Sequence, residues 1–385
     1  MKDKIIVIDT FSHGNFHEMF NAEILKAYSY VFKDVFHYGI SSSIDCIQKI
    51  CIGHTNIQYN RLPFSITINN RFGILIRLIW SALYSMFLLF RFRKERYIAI
   101  NYDNPFLLPL LRFWGGKVNS SIYICCHGEL ELLTDLMSKS GLLALVQKKM
   151  LVSFFRNRIR DNIHFFVLGE SIIRNLNNII PHNIKHFSSI NHPYKFNSYQ
   201  IVESSFSFSR CRIGIIGLTN KNKGYDLLVR LVQNIDFKNS IIDLLHIGKI
   251  DGDICFFKNR GVYIVDRDKD GDLPREAYEE LVESLQFVLF LYPINSYKVT
   301  ASGAVFEAIS NLKPIIALSN SFFEYIFSIM GNIGYLFNSM EELERFLLTF
   351  HVEEKDYLQM QNNILKNRNC FSAEMVSSKL SELIK

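Results

Sequence analysis

Two stretches of this 385-residue chain carry residue types that could bind and activate a phosphorylated ligand. The first is Tyr292–Leu318, YPINSYKVTASGAVFEAISNLKPIIAL. An apolar run ends at Tyr292 and a loop follows. Thr300-Ala301-Ser302-Gly303 then opens a segment of helical pattern that carries Glu307. The free N–H groups of a helix start favour phosphate, and a glycine there lets a ligand approach the backbone. Glu307 lies four residues beyond Gly303, on the same helix face. A carboxylate so placed accepts hydrogen bonds from two vicinal hydroxyls, such as those of a ribose. The second stretch is Ile213–Leu228, IGIIGLTNKNKGYDLL. A strand pattern ends in Gly217, a loop holds Lys221 and Lys223, and Gly224 opens a helix. Two lysines there would neutralise a diphosphate leaving group. Taken alone, each stretch reads equally well as ordinary structure: a capped helix whose glutamate meets a lysine, and a solvated loop. Together they are stronger, because both fall at strand carboxyl ends of one domain, where open α/β sheets bind ligands.

The remaining candidates are weaker. His127 closes the run Ser121–Cys126 and reads by itself as a satisfied strand-end histidine. Glu129 and Glu131 read as carboxylates at a helix N-terminus, and His17 as a residue on a helix face. Asp268 and Asp270, in DRDKDGD, look like a metal cluster but lack a strand–Asp-x-Asp context and read as a solvated turn. The seven cysteines form no C-x-x-C pair and show no paired Cys/His ligand spacing. Their odd number in a chain of this size points to a reducing compartment.

Such residues need a scaffold that brings them together. Lys4–Ile8 is a short apolar run, Asp9–Asn15 a polar loop with Gly14, and Phe16–Phe32 a helical pattern. Tyr97–Asn101, Ser121–Cys126 and Ile163–Leu168 repeat the strand part of that unit. Polar Lys195–Arg210 breaks the pattern and reads as a linker. A second series follows, with strands at Cys211–Ile216, Ile241–Ile247, Val262–Val265, Phe287–Leu291 and Pro314–Leu318. Apolar runs alternating with helices predict a mainly parallel sheet covered on both faces. The expected fold is therefore α/β, with doubly wound domains over residues 1–200 and 201–370. Residues 371–385 form a terminal helix placed to pack back on the first.

Composition agrees. Hydrophobic residues make up 49% and charged residues 21%, which supports buried cores and excludes a disordered chain. The net charge of +6 conceals an asymmetry. Residues 1–200 hold 23 Lys and Arg against 13 Asp and Glu, and the remainder 20 against 24. No nucleic-acid recognition motif accompanies the basic half, and the second half is acidic, so nucleic acid is a poor partner. Met1–Asp9 lacks the apolar length of a signal peptide. In Phe72–Phe90, Arg77 leaves an uninterrupted run of 13, Leu78–Phe90. That is short of the roughly 20 residues a bilayer span needs. The expectation is a buried or interfacial helix with a basic end at Arg91, Arg93, Lys94 and Arg96.

On these residues the chain resembles the GT-B glycosyltransferases, closest to the retaining family 4 and its relatives. Lys223-Gly224 matches the family's phosphate-binding lysine. Glu307 matches the second glutamate of its E-x7-E motif, which binds the ribose, and Leu312-Lys313-Pro314 its strand entry. Gly248 fits the spacing. Two positions depart. The first glutamate of the motif falls at Val299, and the arginine after the strand glycine falls at Leu218; Lys221 supplies charge there without bidentate geometry. In the first half, His13-Gly14-Asn15, Tyr97–Leu111, His127, Val167–Ser171 and Asn191-His192-Pro193 resemble family elements more weakly.

The resemblance implies a GT-B architecture of two Rossmann-like domains facing across a cleft. It implies hexosyl transfer from a UDP- or GDP-linked nucleotide sugar to a lipid-linked or saccharide acceptor in bacterial surface-polysaccharide synthesis, with no metal and no further cofactor. It assigns His127, Lys223 and Glu307 to catalysis. It assigns Gly217, Lys221, Lys223, Gly224, Gly248, Thr300, Ser302, Gly303 and Glu307 to the donor, and His13, Gly14 and Asn15 to the acceptor side. Enzymes of this kind often glycosylate lipid-linked acceptors from the cytoplasmic face. That gives the basic apolar helices a role on anionic lipid and implies a cytoplasmic, peripheral location. A sugar-nucleotide epimerase of the same architecture, and a catalytically degenerate nucleotide-binding subunit, are the alternatives.

Overall fold

The computed structural model describes residues 1–64, 66, 71–134, 141–196, 210–265, 273 and 275–385. The linker expected over Lys195–Arg210 lies largely outside these residues, as do Asp268 and Asp270. The chain divides into two units. The first comprises Met1–Lys195, Lys298–Ala301 and Cys370–Lys385, and the second Phe196–Tyr297 and Ser302–Asn369. Each is built on one parallel sheet.

In the first unit the strands are β1 (Lys2–Asp9), β2 (Phe32–Gly39), β3 (Ile57–Arg61), β4 (Tyr97–Ile100), β5 (Ser121–Cys125), β6 (Ile163–Val167) and β7 (Phe187–Ser189). They lie in the order β3-β2-β1-β4-β5-β6-β7. Successive side chains point to opposite faces, so each strand feeds two cores. Ile5 and Val7 of β1 pack with Tyr28 and Leu380 on one face. Ile6 and Ile8 pack with Leu89, Leu111 and Phe155 on the other. The terminal helix Ala373–Leu383 belongs to the first of these cores, where Val376, Leu380 and Ile384 are buried. The chain is tied into place there by Tyr194 N–H donating to Phe371 O at 2.8 Å.

The second unit contains β8 (Cys211–Ile216), β9 (Ile242–Ile247), β10 (Tyr263–Ile264), β11 (Phe287–Phe290), β12 (Ile315–Leu318) and β13 (Gly334–Phe337), in the order β10-β9-β8-β11-β12-β13. Strand order reverses between β1 and β4 in one sheet and between β8 and β11 in the other. At such a switch point the loops leaving neighbouring strands run to opposite faces and open a crevice at the carboxyl ends.

Four strands went unread in the sequence: β2, β3, β7 and β13. β2 is the instructive one. Its FKDVFHYG carries Lys33, Asp34 and His37 among the apolar residues, and the helical pattern before it runs on to Phe32, whereas the helix ends at Val31. The apolar segment is helical beyond its uninterrupted run. It forms one helix, Arg71–Arg91, that runs through Arg77 without a break. Its window Phe72–Arg91 is long and apolar enough to cross a membrane by length and composition, with mean hydropathy 1.8, and half of it is buried within the structure.

Candidate active site

At the end of β8 the chain turns at Gly217, whose φ is +84°, and its N–H donates to Ile247 O at 2.9 Å. Asn220 then closes a tight turn over Lys221–Lys223. Its Oδ1 accepts from Lys223 N–H at 3.1 Å and its carbonyl from Tyr225 N–H at 2.9 Å. Gly224, at φ +83°, starts helix Tyr225–Asn234. A Cβ on Gly224 would sit 1.9 Å from Leu291 O, so only glycine lets this loop close down on the end of β11. The closure leaves Lys223 half-buried beside Thr219, Leu291 and Tyr292. Burial pushes its ammonium pKa below the usual range. Lys221 points into solvent. Gly248 serves the same turn by packing: a Cβ there would lie 1.6 Å from Gly217 O.

The facing element is helix Gly303–Ser310. Ser302 occupies its N-cap position but makes no capping bond. Its Oγ lies instead 2.9 Å from the hydroxyl of Tyr292, which stacks on Tyr297 with ring centroids 4.3 Å apart. The donors of the first turn are thus not capped by Ser302. No atom lies within 4 Å of where a Gly303 Cβ would be, so the helix start is open. The Cβ position of Gly217 lies 4.0 Å from Ala304 Cβ, so the glycine turn and the helix start are neighbours. Glu307 is buried one turn further along. Lys313 is spent elsewhere: its Nζ donates to Glu283 O at 2.6 Å, before the amino end of β12.

In the first unit the loops after β1, β4 and β5 come together. Asp9 Oδ1 accepts from the N–H groups of Phe11 and Ser12, at 3.2 and 2.9 Å, and bends the loop that carries His13, Gly14 and Asn15. Gly14 has φ +52° and open space where a side chain would be. Arg77 Nη1 lies 3.0 Å from the His13 ring nitrogens, and the Arg77 guanidinium covers the Phe11 ring at 4.6 Å. Phe11 stacks on Tyr102 at 4.1 Å. Asn15 is exposed. His127 is buried. Its Nε2–H donates to Asn101 O at 2.8 Å and its N–H to Asp103 Oδ1 at 3.0 Å. The ring stacks on His17 at 4.7 Å and meets the edge of Phe20 at 4.5 Å. Burial first, then His17, holds the His127 pKa well below the usual histidine range, so the imidazole is neutral.

No protein-family model and no curated protein matches this sequence. Solved structures do match. Over 99% of both chains it superposes on WaaG, a glycosyltransferase involved in lipopolysaccharide biosynthesis, with TM-score 0.62 and 13% identity. Sucrose-phosphate synthase from Thermosynechococcus elongatus matches over 99% of this chain and 98% of its own, with TM-score 0.65 and 12% identity. TarM from S. aureus, in a complex with UDP among other ligands, matches over 100% of both chains, with TM-score 0.64 and 11% identity. The chain has the GT-B fold.

Within this GT-B frame several sequence readings change. His17 is not on a helix face. It is the residue before helix Glu18–Val31, at φ +54°, with its ring on His127. Glu129 and Glu131 lie in a short 3₁₀ segment and are engaged by side chains and by another loop. The Tyr102 hydroxyl donates to Glu129 Oε1. Asp103 is buried and Glu129 half-buried beside it, and burial raises both carboxyl pKa values. The Glu131 carboxylate accepts from the N–H groups of Lys298 and Val299 at 3.3 and 3.0 Å, while Asn175 Nδ2 donates to Lys298 O at 2.7 Å. Val299 and Thr300 therefore belong to the first unit, and Val299 is buried in its core. The E-x7-E motif is not formed: the place of its first glutamate is a core valine. Leu218, at the place of the missing arginine, is exposed. Among the described residues no group of three or more His, Cys, Asp or Glu could hold a metal ion.

Sequence reading thus found the glycine turn, the lysine loop and the helix start. It gave no role to Arg77, Asp103 or Tyr292 individually, nor to the Glu131 contact. Of these, Asp103 carried a signal: it stands in an Asn-Tyr-Asp-Asn-Pro run directly after a strand, at the switch point.

Proposed function

We propose that the chain is a glycosyltransferase that moves a hexose from a nucleotide diphosphate sugar to a lipid-linked or saccharide acceptor of a bacterial surface polysaccharide. The observation that carries this reading is the open helix start at Ser302–Gly303 beside the Gly217 turn and the half-buried Lys223. Backbone donors there take the diphosphate, and a partly desolvated ammonium stabilises the charge that grows on it as the glycosidic bond breaks. Glu307, one turn on, accepts from the ribose hydroxyls. In the first unit, His13, Gly14 and Asn15 receive the acceptor, and the neutral His127 hydrogen-bonds the transferred sugar. With Nε2–H committed to Asn101, its remaining ring nitrogen is an acceptor. The structures of WaaG, of TarM with UDP and of starch synthase IV with ADP and acarbose support the reaction class by analogy of fold.

A lipid-linked acceptor and a peripheral place on the cytoplasmic membrane face are supported by one surface. Ile79, Leu83 and Phe87 recur at helical spacing on Arg71–Arg91 and are all exposed, with Leu83 at 55%. Arg91, Arg93 and Lys94 follow directly, so the charge suits anionic lipid. Calorimetry with UDP and GDP, followed by turnover of a nucleotide-sugar panel with native lipid extract, tests the proposal. One of the two nucleotides should bind, and Glu307→Ala should weaken it by about tenfold or more, the value of a charge-assisted hydrogen bond. Absence of binding by both nucleotides, or binding unaffected by Glu307→Ala, counts against it.

A further inference from the structure

We propose that the first unit holds a pocket for the phosphodiester headgroup of an anionic glycerophospholipid, far from the strand ends that carry His127. The choice of a lipid as the source of that phosphate rests on the membrane contact proposed above. The pocket measures about 630 Å³ and is lined by Arg112, Gly116, Phe154, Arg158, Arg160 and Asn162, among others. It lies at the amino edge of the sheet, where helices Leu107–Trp114 and Leu142–Phe155 end and where β5 and β6 begin. Asn162 fixes its floor by donating from Nδ2 to Val118 O and Ser120 O, both at 3.1 Å.

Its charge is what sets it apart. Asp161 is the one acidic residue in the lining, and it is taken by Arg158 at 3.7 Å and Lys185 at 3.6 Å. Arg112 and Arg160 form no ion pair among the described residues. Helix C-termini attract cations in general, which accounts for basic residues at these positions. It does not account for two guanidinium groups without acidic partners lining one concavity. Arg160 is also seated: a Cβ on Gly116 would fall 2.5 Å from its Nη1, so the glycine makes room for the guanidinium to lie against the backbone. A guanidinium is the side chain suited to bidentate binding of phosphate oxygens. The neighbours supply the apolar half. Phe113 and Trp114 follow Arg112 on the same helix and are 72% and 44% exposed, and Lys117 Nζ lies 4.3 Å over the Trp114 ring. Aromatic rings beside a phosphate-binding pocket match the layered chemistry of a lipid interface, apolar chain below and charged headgroup above.

The test uses the full chain and a short-chain phosphatidylglycerol kept below its micelle concentration. Trp114 beside the pocket provides a fluorescence readout, with Trp80 the only other tryptophan. Glycerol 3-phosphate and inorganic phosphate are titrated in parallel. Saturable binding of the lipid is expected. It should fall about tenfold or more in Arg112→Gln/Arg160→Gln and stay within about twofold in Lys49→Gln/Arg174→Gln, which removes equal charge from exposed first-unit positions outside the pocket and outside the apolar stripe. Gly116→Ala keeps every charge and displaces Arg160, so it should also lose binding, and it carries the test if the double variant fails to fold. Equal losses in the two double variants, or unchanged binding in Gly116→Ala, would reduce the effect to diffuse charge and overturn the proposal. Glycerol 3-phosphate or inorganic phosphate binding as tightly as the lipid would overturn the lipid source. If UDP and GDP both fail to bind while the lipid behaves as expected, the glycosyl-transfer reading falls and the pocket stands.

Discussion

Asp103 and Glu129 show how far a residue's chemistry depends on its neighbours. A glutamate two residues past a strand-end histidine reads as a solvated carboxylate beside a helix start. Burial beside Asp103 raises its pKa instead, with Tyr102 donating to it and Asp103 holding the His127 backbone. The pair has a pH signature. A group whose native pKa is raised adds stability that is complete below its unfolded value of about 4 and is lost as pH rises through the native value. Glu129→Gln replaces the titrating carboxyl with an amide that stays neutral at every pH. The melting temperature of the wild type minus that of Glu129→Gln should therefore shrink as pH rises from about 4 to 8. The buried histidines act in the opposite sense, since burial lowers the pKa of His192 to about 3. They are common to both chains and cancel in the difference. A gap that stays constant with pH, followed by circular dichroism melts, would show that the Glu129 pKa is not raised in the folded chain.

Among the elements, the loop–helix junctions of the second unit separate packing from binding. Gly224 and Gly303 both look like phosphate-loop glycines in the sequence. Gly224→Ala should cost about 2 kcal/mol or more, because φ is +83° and the new methyl meets Leu291 O. Gly303→Ala should leave the melting temperature unchanged or slightly higher, since alanine favours helix and the space is empty. It should nevertheless weaken nucleotide binding by narrowing the helix start. Thermal melts paired with calorimetry check both, and a Gly303→Ala variant that binds nucleotide as tightly as the wild type would remove this helix from the proposed donor site. The same contrast explains why the strands at Cys211–Ile216 and Phe287–Phe290 were legible, as apolar runs ending in turn residues, while β2 was not. β2 borders β3, and its Lys33 and Asp34 are exposed, so it lacks the continuous apolar pattern of a central strand.

For the whole molecule, the chain returns at its end to the unit in which it began. Residues Cys370–Lys385 belong to the first unit, and helix Ala373–Leu383 covers helix Glu18–Val31. Leu380 is fully buried there. Leu380→Ala should cost about 3 kcal/mol and lower the melting temperature by several degrees, while nucleotide binding in the second unit, measured below the transition, stays intact. An unchanged melting temperature would mean that the terminal helix adds little to the first core. The charge asymmetry also belongs at this scale. The basic first unit presents the exposed apolar stripe and the arginine pocket, and the acidic second unit presents the half-buried Lys223.

By itself the sequence determined the fold class, the two series of strands and helices, and the glycine and lysine positions of the second unit's strand-end loops. All of these are local: apolar runs at strand or helix period, and glycines where the backbone must turn. Only the tertiary structure decided that Val299 is a core residue of the first unit, that Glu131 holds its backbone, and that Glu129 lies against the buried Asp103. It also decided that three arginines from two separate segments line one pocket. These contacts join residues 26 to more than 160 positions apart, and no local pattern encodes a pairing at that separation. Burial then changes what each charge does, because removing water turns a solvated carboxylate into a proton holder or a backbone clamp.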